Sequence, residues 1–290
     1  MTKILTIGNS FSVNATSCMD ELTAAEPSAD LFYGSMVLGG CSLEKHWNLL
    51  KQCDLLPDVK PYDFGRTGRE PVKATLREAL SGEQWDFVTL QQASPLSHEG
   101  DTYQPHFGNL HGLIRDIAPH ARPVIHMTWA YRIDSPLLAE WQMTQETMFE
   151  RLRGNYRAMA EKYGCPILPV GEAFQKARAK LNYRVDEGFD RENAKPFDLP
   201  DQTGSLNVGW QWATGNTDSG KATLWMDAKH GNSKGCYLGN AVWYEMFTGK
   251  SIADNPFCPE DITEKELEIL QAAAHEAVDE YGGPLTGGPR

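Results

Sequence analysis

Lys3-Ile4-Leu5-Thr6-Ile7-Gly8-Asn9-Ser10-Phe11-Ser12 is an apolar run that ends in a tight glycine turn and opens toward a helical stretch from Asn14 to Ala25. A strand that is apolar without alternation is buried on both faces, as in a parallel sheet covered by helices. The same unit recurs along the chain. Leu31 to Leu38 reads as a second strand ending at Gly39-Gly40, with helical Ser42 to Leu50 after it. Glu70 to Leu80 carries Val72, Leu76 and Leu80 four apart and is expected to be helical. Trp85 to Leu90, Pro123 to Trp129 and Pro166 to Val170 supply further strands, separated by helices over Leu110 to Ala118 and Thr144 to Tyr163. Alternating strands and helices predict an α/β, three-layer α/β/α sandwich around a doubly wound, parallel, five-stranded sheet. Ligands of such sheets gather at the carboxyl ends of the strands, where Ser10, Gly40, Gln92 and Tyr131 would emerge.

The 290 residues are 41% hydrophobic and 23% charged, enough for one well-buried core, and residues 1–290 are read as a single domain. The stretch 182–221 departs from the pattern. It is rich in Asp, Gly, Asn and Pro yet holds Phe189, Phe197, Trp210 and Trp212, the composition of a substrate-facing insertion. Near the end, Thr263-Glu264-Lys265-Glu266 has the type and spacing of a capping box ahead of the stripe Leu267, Leu270, Ala274 and Val278. A net charge of −12 would repel nucleic acid and anionic lipid, so neither is expected as a partner. No apolar run is long enough to span a membrane and no signal peptide is visible, from which a cytoplasmic location is expected. Six widely spaced cysteines without a Cys-x-x-Cys read as buried thiols. The sequence leaves the oligomeric state open.

The chemistry-bearing residues stand at the two ends. Ser10 follows a strand in a turn that would leave its hydroxyl above the sheet, and an imidazole can activate such a hydroxyl near neutral pH. Asp227-Ala228-Lys229-His230 places a carboxylate three residues before a histidine, in an expected turn just ahead of a helix, where the carboxylate can orient the ring. Read singly, Ser10 or Ser12 could cap the helix and Asp227 and His230 could be ordinary loop residues. Read together, they are a nucleophile, a base and its orienter.

At these positions the chain resembles the SGNH, or GDSL-like, hydrolase superfamily of esterases and lipases. Gly8-Asn9-Ser10-Phe11 matches the family's first motif with Asn9 in place of Asp, and Asp227 to Gly235 matches its last, with Gly231 in place of Pro. Val37-Leu38-Gly39-Gly40-Cys41-Ser42 occupies the place of the second motif, and Leu90-Gln91-Gln92-Ala93-Ser94 that of the third, as in sialate-acetylesterase-like members. The resemblance implies a flavodoxin-like fold and serine-esterase chemistry without a cofactor. Ser10, His230 and Asp227 would be catalytic, with an oxyanion hole from the amides of Ser10 and Gly40 and the side chain of Gln92, or alternatively Gln91. A short-acyl ester of a carbohydrate is the expected substrate, with lipase or thioesterase activity, or an inactive carbohydrate-binding protein, as alternatives.

Eight tryptophans offer faces for stacking on sugar rings. Trp210 and Trp212, in a polar stretch, and Trp129 are the expected substrate contacts, whereas Trp85 and Trp243 read as core. His98, His106, His111, His120 and His126 form no His-x-x-x-His pair with an acidic partner, and no metal site is expected. Gly65-Arg66-Thr67-Gly68-Arg69 lacks the ending of a phosphate loop and reads as a turn.

Overall fold

Strand β1 (Thr2–Gly8) lies at the centre of a seven-stranded sheet in the computed structural model, which describes residues 1–213 and 222–286. After it come α1 (Ser10–Thr16), α2 (Met19–Ala25), β2 (Leu31–Val37), α3 (Leu43–Leu55), β3 (Tyr62–Arg66), β4 (Arg69–Ala74), α4 (Leu76–Ser81) and β5 (Phe87–Leu90). The second half adds α5 (His106–Ile117), β6 (Arg122–His126), α6 (Pro136–Glu140), α7 (Gln145–Tyr163), β7 (Ile167–Leu168) and α8 (Val170–Leu181). A separate ribbon of β8 (Asn207–Ala213) and β9 (Thr223–Gly231) precedes α9 (Ser233–Thr248) and α10 (Glu264–Glu280).

Five strands run parallel in the order β2-β1-β5-β6-β7, and β3 and β4 extend the β2 edge in antiparallel fashion, so the sheet has seven strands where five were expected. The architecture is α/β, with a mostly parallel central sheet flanked by helices. Helices α1, α8, α9 and α10 pack on one another, and α5 packs on α3 and α4.

The two added strands overturn the helix expected over Glu70 to Leu80. Gly68, at φ +66°, turns the chain back so that Tyr62 pairs with Ala74 and Phe64 with Val72. Among the described residues β4 has no neighbour on its other side, and an edge strand tolerates Pro71, whose missing N–H would break an inner ladder. Only Leu76–Ser81 is helical, capped by Thr75 and Glu78 in a reciprocal box. The helix expected over Asn14 to Ala25 is likewise two pieces. It breaks at Cys18, whose N–H donates to the side chain of Asn240 on α9 (3.1 Å).

The apolar strands deliver the expected core. Ile4, Leu5, Ile7, Val88, Leu90, Val124 and Ile125 are all buried, as are Trp85 and Trp243. The six cysteines are free thiols: Cys41, Cys53 and Cys165 are buried, Cys18 and Cys236 half-buried and Cys258 exposed. Among the described residues no helix is long and apolar enough to cross a membrane.

One core residue sits badly. His126, at the end of β6, is fully buried and edge-on to Trp243, and among the described residues neither its two ring nitrogens nor the Trp243 indole N–H has a partner. Burial pushes its pKa down to about 3, and that of buried His46 to about 4. Both rings are neutral when folded and take up a proton near pH 6.5 when unfolded, so stability falls as pH drops from 6.5 toward these values, by about 1.4 kcal/mol per pH unit per histidine. His126→Leu removes the two unsatisfied nitrogens and is expected to raise the melting temperature by roughly 2–4 °C at pH 7. The gain should widen at pH 5. A melting temperature that falls, or an acid limb as steep as the parent's, would count against this account.

Candidate active site

Asn9 decides where Ser10 stands. It is the N-cap of α1, its Oδ1 accepting from Phe11 N–H (3.1 Å), so the helix begins at Ser10 rather than at Asn14. The same oxygen accepts from Gln91 Nε2 (2.7 Å), while Asn9 Nδ2 donates to the carbonyls of Cys41 (3.1 Å) and Gln92 (3.4 Å). One amide thereby joins the carboxyl ends of β1, β2 and β5. An aspartate at this position could not make the two donations. Beneath the turn, His46 Nε2 lies 3.0 Å from the Gly8 carbonyl and Nδ1 lies 2.8 Å from Tyr62 Oη. A neutral ring meets both only as the Nε2–H tautomer, donating to Gly8 and accepting from tyrosine.

Ser10 Oγ is 2.7 Å from His230 Nε2, across 220 positions of chain. His230 Nδ1 is 2.6 Å from Asp227 Oδ2, and Asp227 Oδ1 accepts the backbone N–H groups of Lys229 (3.2 Å) and His230 (3.0 Å). Asp227 and His230 were expected in a turn, and they lie instead at the end of β9. In a regular strand, residues three apart face opposite sides. Here Asn207 pairs with Gly231 and Gly209 with Asp227, so four steps on β9 oppose two on β8. This bulge brings the imidazole round to its carboxylate. Opposite it, a side chain on Gly209 (φ +79°) would collide with Arg132 and Gln202.

Two contacts fix the strand end against α1. Asn14, one turn beyond Ser10 on the same helix face, accepts from Gly231 N–H (3.0 Å). Trp129 donates its indole N–H to the Lys229 carbonyl (2.8 Å) and stacks between Phe11, at 4.2 Å, and Phe174, at 4.4 Å between ring centroids. Burial alone would raise the Asp227 pKa, but the hydrogen bonds from His230 and the backbone outweigh it and hold the carboxyl down at about 2. A charged carboxylate thus faces the imidazole and requires a proton on Nδ1, leaving Nε2 with its lone pair toward the serine.

The remaining expected site residues divide. Ser10 and Gly40 have backbone N–H groups with no hydrogen-bond partner among the described residues, and Gly40 is exposed at φ +61°. Gln92 differs from expectation. Its Nε2 donates to Thr102 carbonyl (3.0 Å) and hydroxyl (3.1 Å) and its Oε1 accepts from Leu43 and Ala93 N–H, so its amide is spent inside the fold. Gln91 is spent as well, with Oε1 accepting from Ser12 Oγ (2.6 Å) and Nε2 committed to Asn9. The reason is burial: both side chains are inaccessible, and an amide enclosed there has to find internal partners. Trp129, expected to touch substrate, is wholly buried and is a strut between the Ser10 and His230 segments.

Trp210 and Trp212 lie on β8, in a hairpin whose tip, 214–221, falls outside the described residues. Trp210 lines a cavity of about 360 Å³ with Tyr183, Phe189, Asp134 and Asp186, and Arg191 lies over its ring at 5.3 Å. Trp212 donates to the Asp198 carbonyl (2.9 Å) and lies by Phe197. Neither lines the cleft that Asp227 helps to form. That cleft, of about 310 Å³, is walled by Tyr131, Leu137, Trp225 and Met226, with Trp225 43% exposed. Sequence reasoning passed over Trp225. The signal was its place two residues before Asp227, which in a strand puts both on one face. Among the described residues no group of three His, Cys, Asp or Glu side chains is arranged to hold a metal ion.

Residues 3–213 match the model of a family described as a domain of unknown function, DUF4886. The match stops short of Asp227 and His230. A solved DUF4886 family protein from Bacteroides uniformis is 27% identical with a TM-score of 0.72, the alignment covering 96% of this chain and 94% of that one. A protein from Slackia heliotrinireducens, described as a candidate SGNH hydrolase, is 20% identical with a TM-score of 0.50 over 84% of this chain and 97% of that one, a likeness of fold. No curated protein matches.

Proposed function

This chain belongs to the DUF4886 family, and we propose that it is a serine esterase in which Ser10 attacks an ester carbonyl, His230 takes and returns the proton and Asp227 steadies the imidazolium. The observation that carries the reading is the unbroken line from Ser10 Oγ through His230 to Asp227, at 2.7 Å and 2.6 Å. A serine hydroxyl needs a base at this distance to become a nucleophile, and a base needs a partner that fixes its tautomer. Attack forms the Ser10 acyl ester and expels the alcohol, which receives the proton from His230. Water then enters by the same base, and the acid leaves. The amides of Ser10 and Gly40 are the donors for the oxyanion, with no part for the glutamines.

For substrate we favour a short acyl group on a carbohydrate. The half-open face of Trp225, two residues from Asp227, supports it, because an aromatic face suits the apolar side of a sugar ring. Trp225→Ala is expected to raise KM about tenfold with kcat within a few-fold, the pattern for lost uniform binding. An unchanged KM would remove the cleft from the reading. The apolar walls of the cleft, Leu137 and Met226 among them, favour lipase or thioesterase chemistry as the second reading. Acetyl and octanoyl nitrophenyl esters separate the two, the first reading requiring the acetyl ester to be the better substrate. An inactive carbohydrate-binding protein would leave Ser10 unlabelled by a fluorophosphonate.

A further inference from the structure

We propose that a small cavity between α8 and residues 204–207 is a binding site for a small monovalent anion, either a halide or a carboxylate of one or two carbons. The cavity measures about 80 Å³ and is lined by Arg132, Arg178, Tyr183, Ser205 and Asn207 among others. At about 30 Å³ per water, that is room for an ion of two or three heavy atoms but not for a sugar acid.

The two arginines on its walls are not equivalent. Arg132 is matched: Nε and Nη2 reach the two oxygens of Asp134 at 2.6 Å and 2.8 Å, forming a neutral bidentate pair. Arg178 is not. Its Nη2 donates to the Ala130 carbonyl (2.7 Å) and Asn207 Oδ1 (2.9 Å), and its Nη1 to Gln175 Oε1 (3.3 Å). All three acceptors are neutral, and no carboxylate comes within ion-pair distance among the described residues. A guanidinium keeps its charge in proteins, and for the half-buried Arg178 the partial loss of water is costly where no opposite charge offsets it. Burial pushes Arg178 down to about 9, the direction of a cation without a counter-charge. Gly204 and Leu206, which also line the cavity, have backbone N–H groups with no partner among the described residues. One cation, spare donors and a void of ionic size are what an anion would complete. Asn207, which accepts from Arg178, also donates to the Lys229 carbonyl (3.1 Å), so the site backs onto the segment holding His230.

The test is thermal unfolding of the whole chain in halide-free sodium gluconate, replaced stepwise by bromide, formate or acetate at constant ionic strength. Gluconate is too large for the void. At least one of the three ions is expected to raise the melting temperature saturably by about 2–4 °C. A rise with bromide alone identifies a halide site, and a larger rise with formate or acetate a carboxylate site. Arg178→Gln should abolish the rise. Gln175→Glu puts a carboxylate within reach of Arg178, and should melt above the parent in gluconate and gain nothing from added anion, which keeps the test decisive if Arg178→Gln does not fold. In bromide-soaked crystals an anomalous peak is expected against Arg178. No saturable rise with any of the three ions, or an undiminished rise in Gln175→Glu, would overturn the proposal.

Discussion

Ser10→Ala is expected to lower kcat/KM on a short-acyl nitrophenyl ester by about 10⁴- to 10⁶-fold while leaving the fold intact. The hydroxyl is the only atom lost. Helix α1 keeps its cap, because Asn9 and not Ser10 supplies it, and the contacts of Asn14 and Trp129 that hold the strand end do not involve the serine side chain. The melting temperature should therefore stay within about 2 °C of the parent. Fluorophosphonate labelling should vanish with activity. Should the variant hydrolyse the ester at the parent's rate, the nucleophile lies elsewhere and the contact between Ser10 and His230 is structural only.

The second large effect is at Asp227, where replacement by asparagine should cost about 10⁴-fold in kcat while the local backbone conformation is kept. The carbonyl oxygen of Asn can still accept the N–H groups of Lys229 and His230 that Asp227 Oδ1 accepts, so the bulge survives. Its NH₂ then faces His230 Nδ1. The ring can satisfy that donor only by putting its own proton on Nε2, and in that tautomer it cannot take the proton of Ser10. Aspartate has a further role in pH dependence. Held at about 2, Asp227 remains ionised through the working range, so its stabilising contribution is complete above its unfolded value near 3.8 and is lost only as pH falls through about 2. No acid limb of activity above pH 4 should trace to it. An asparagine variant retaining more than about a tenth of the parental rate would show that the carboxylate is dispensable.

Much of this was written in local pattern. Continuous apolarity over Ile4 to Ile7, Phe87 to Leu90 and Val124 to Ile125 marks strands covered on both faces, and a glycine turn after the first marks the strand end where a ligand could be met. The capping box at Thr263 stands where its spacing placed it, and the helix read over Thr144 to Tyr163 runs from Gln145 to Tyr163. The errors lie where a distant partner outweighed a nearby pattern. Val72 and Leu76 are four apart, yet residues 69–74 became a strand because Tyr62 to Arg66 was there to pair with them. Asn14 to Ala25 has helical spacing, yet it breaks where Asn240 takes the Cys18 N–H.

The sequence alone determined the chemical inventory and the alternation of strands and helices, since residue type and periodicity are properties of short stretches. Only the tertiary structure decided which groups are free to act. It brought His230 to Ser10 by a bulge, spent Gln91 and Gln92 on internal partners, hid Trp129 and left Trp225 open. Whether a side chain is used up or available depends on what lies across from it, and that is set by contacts between residues far apart in the chain, which no local period records.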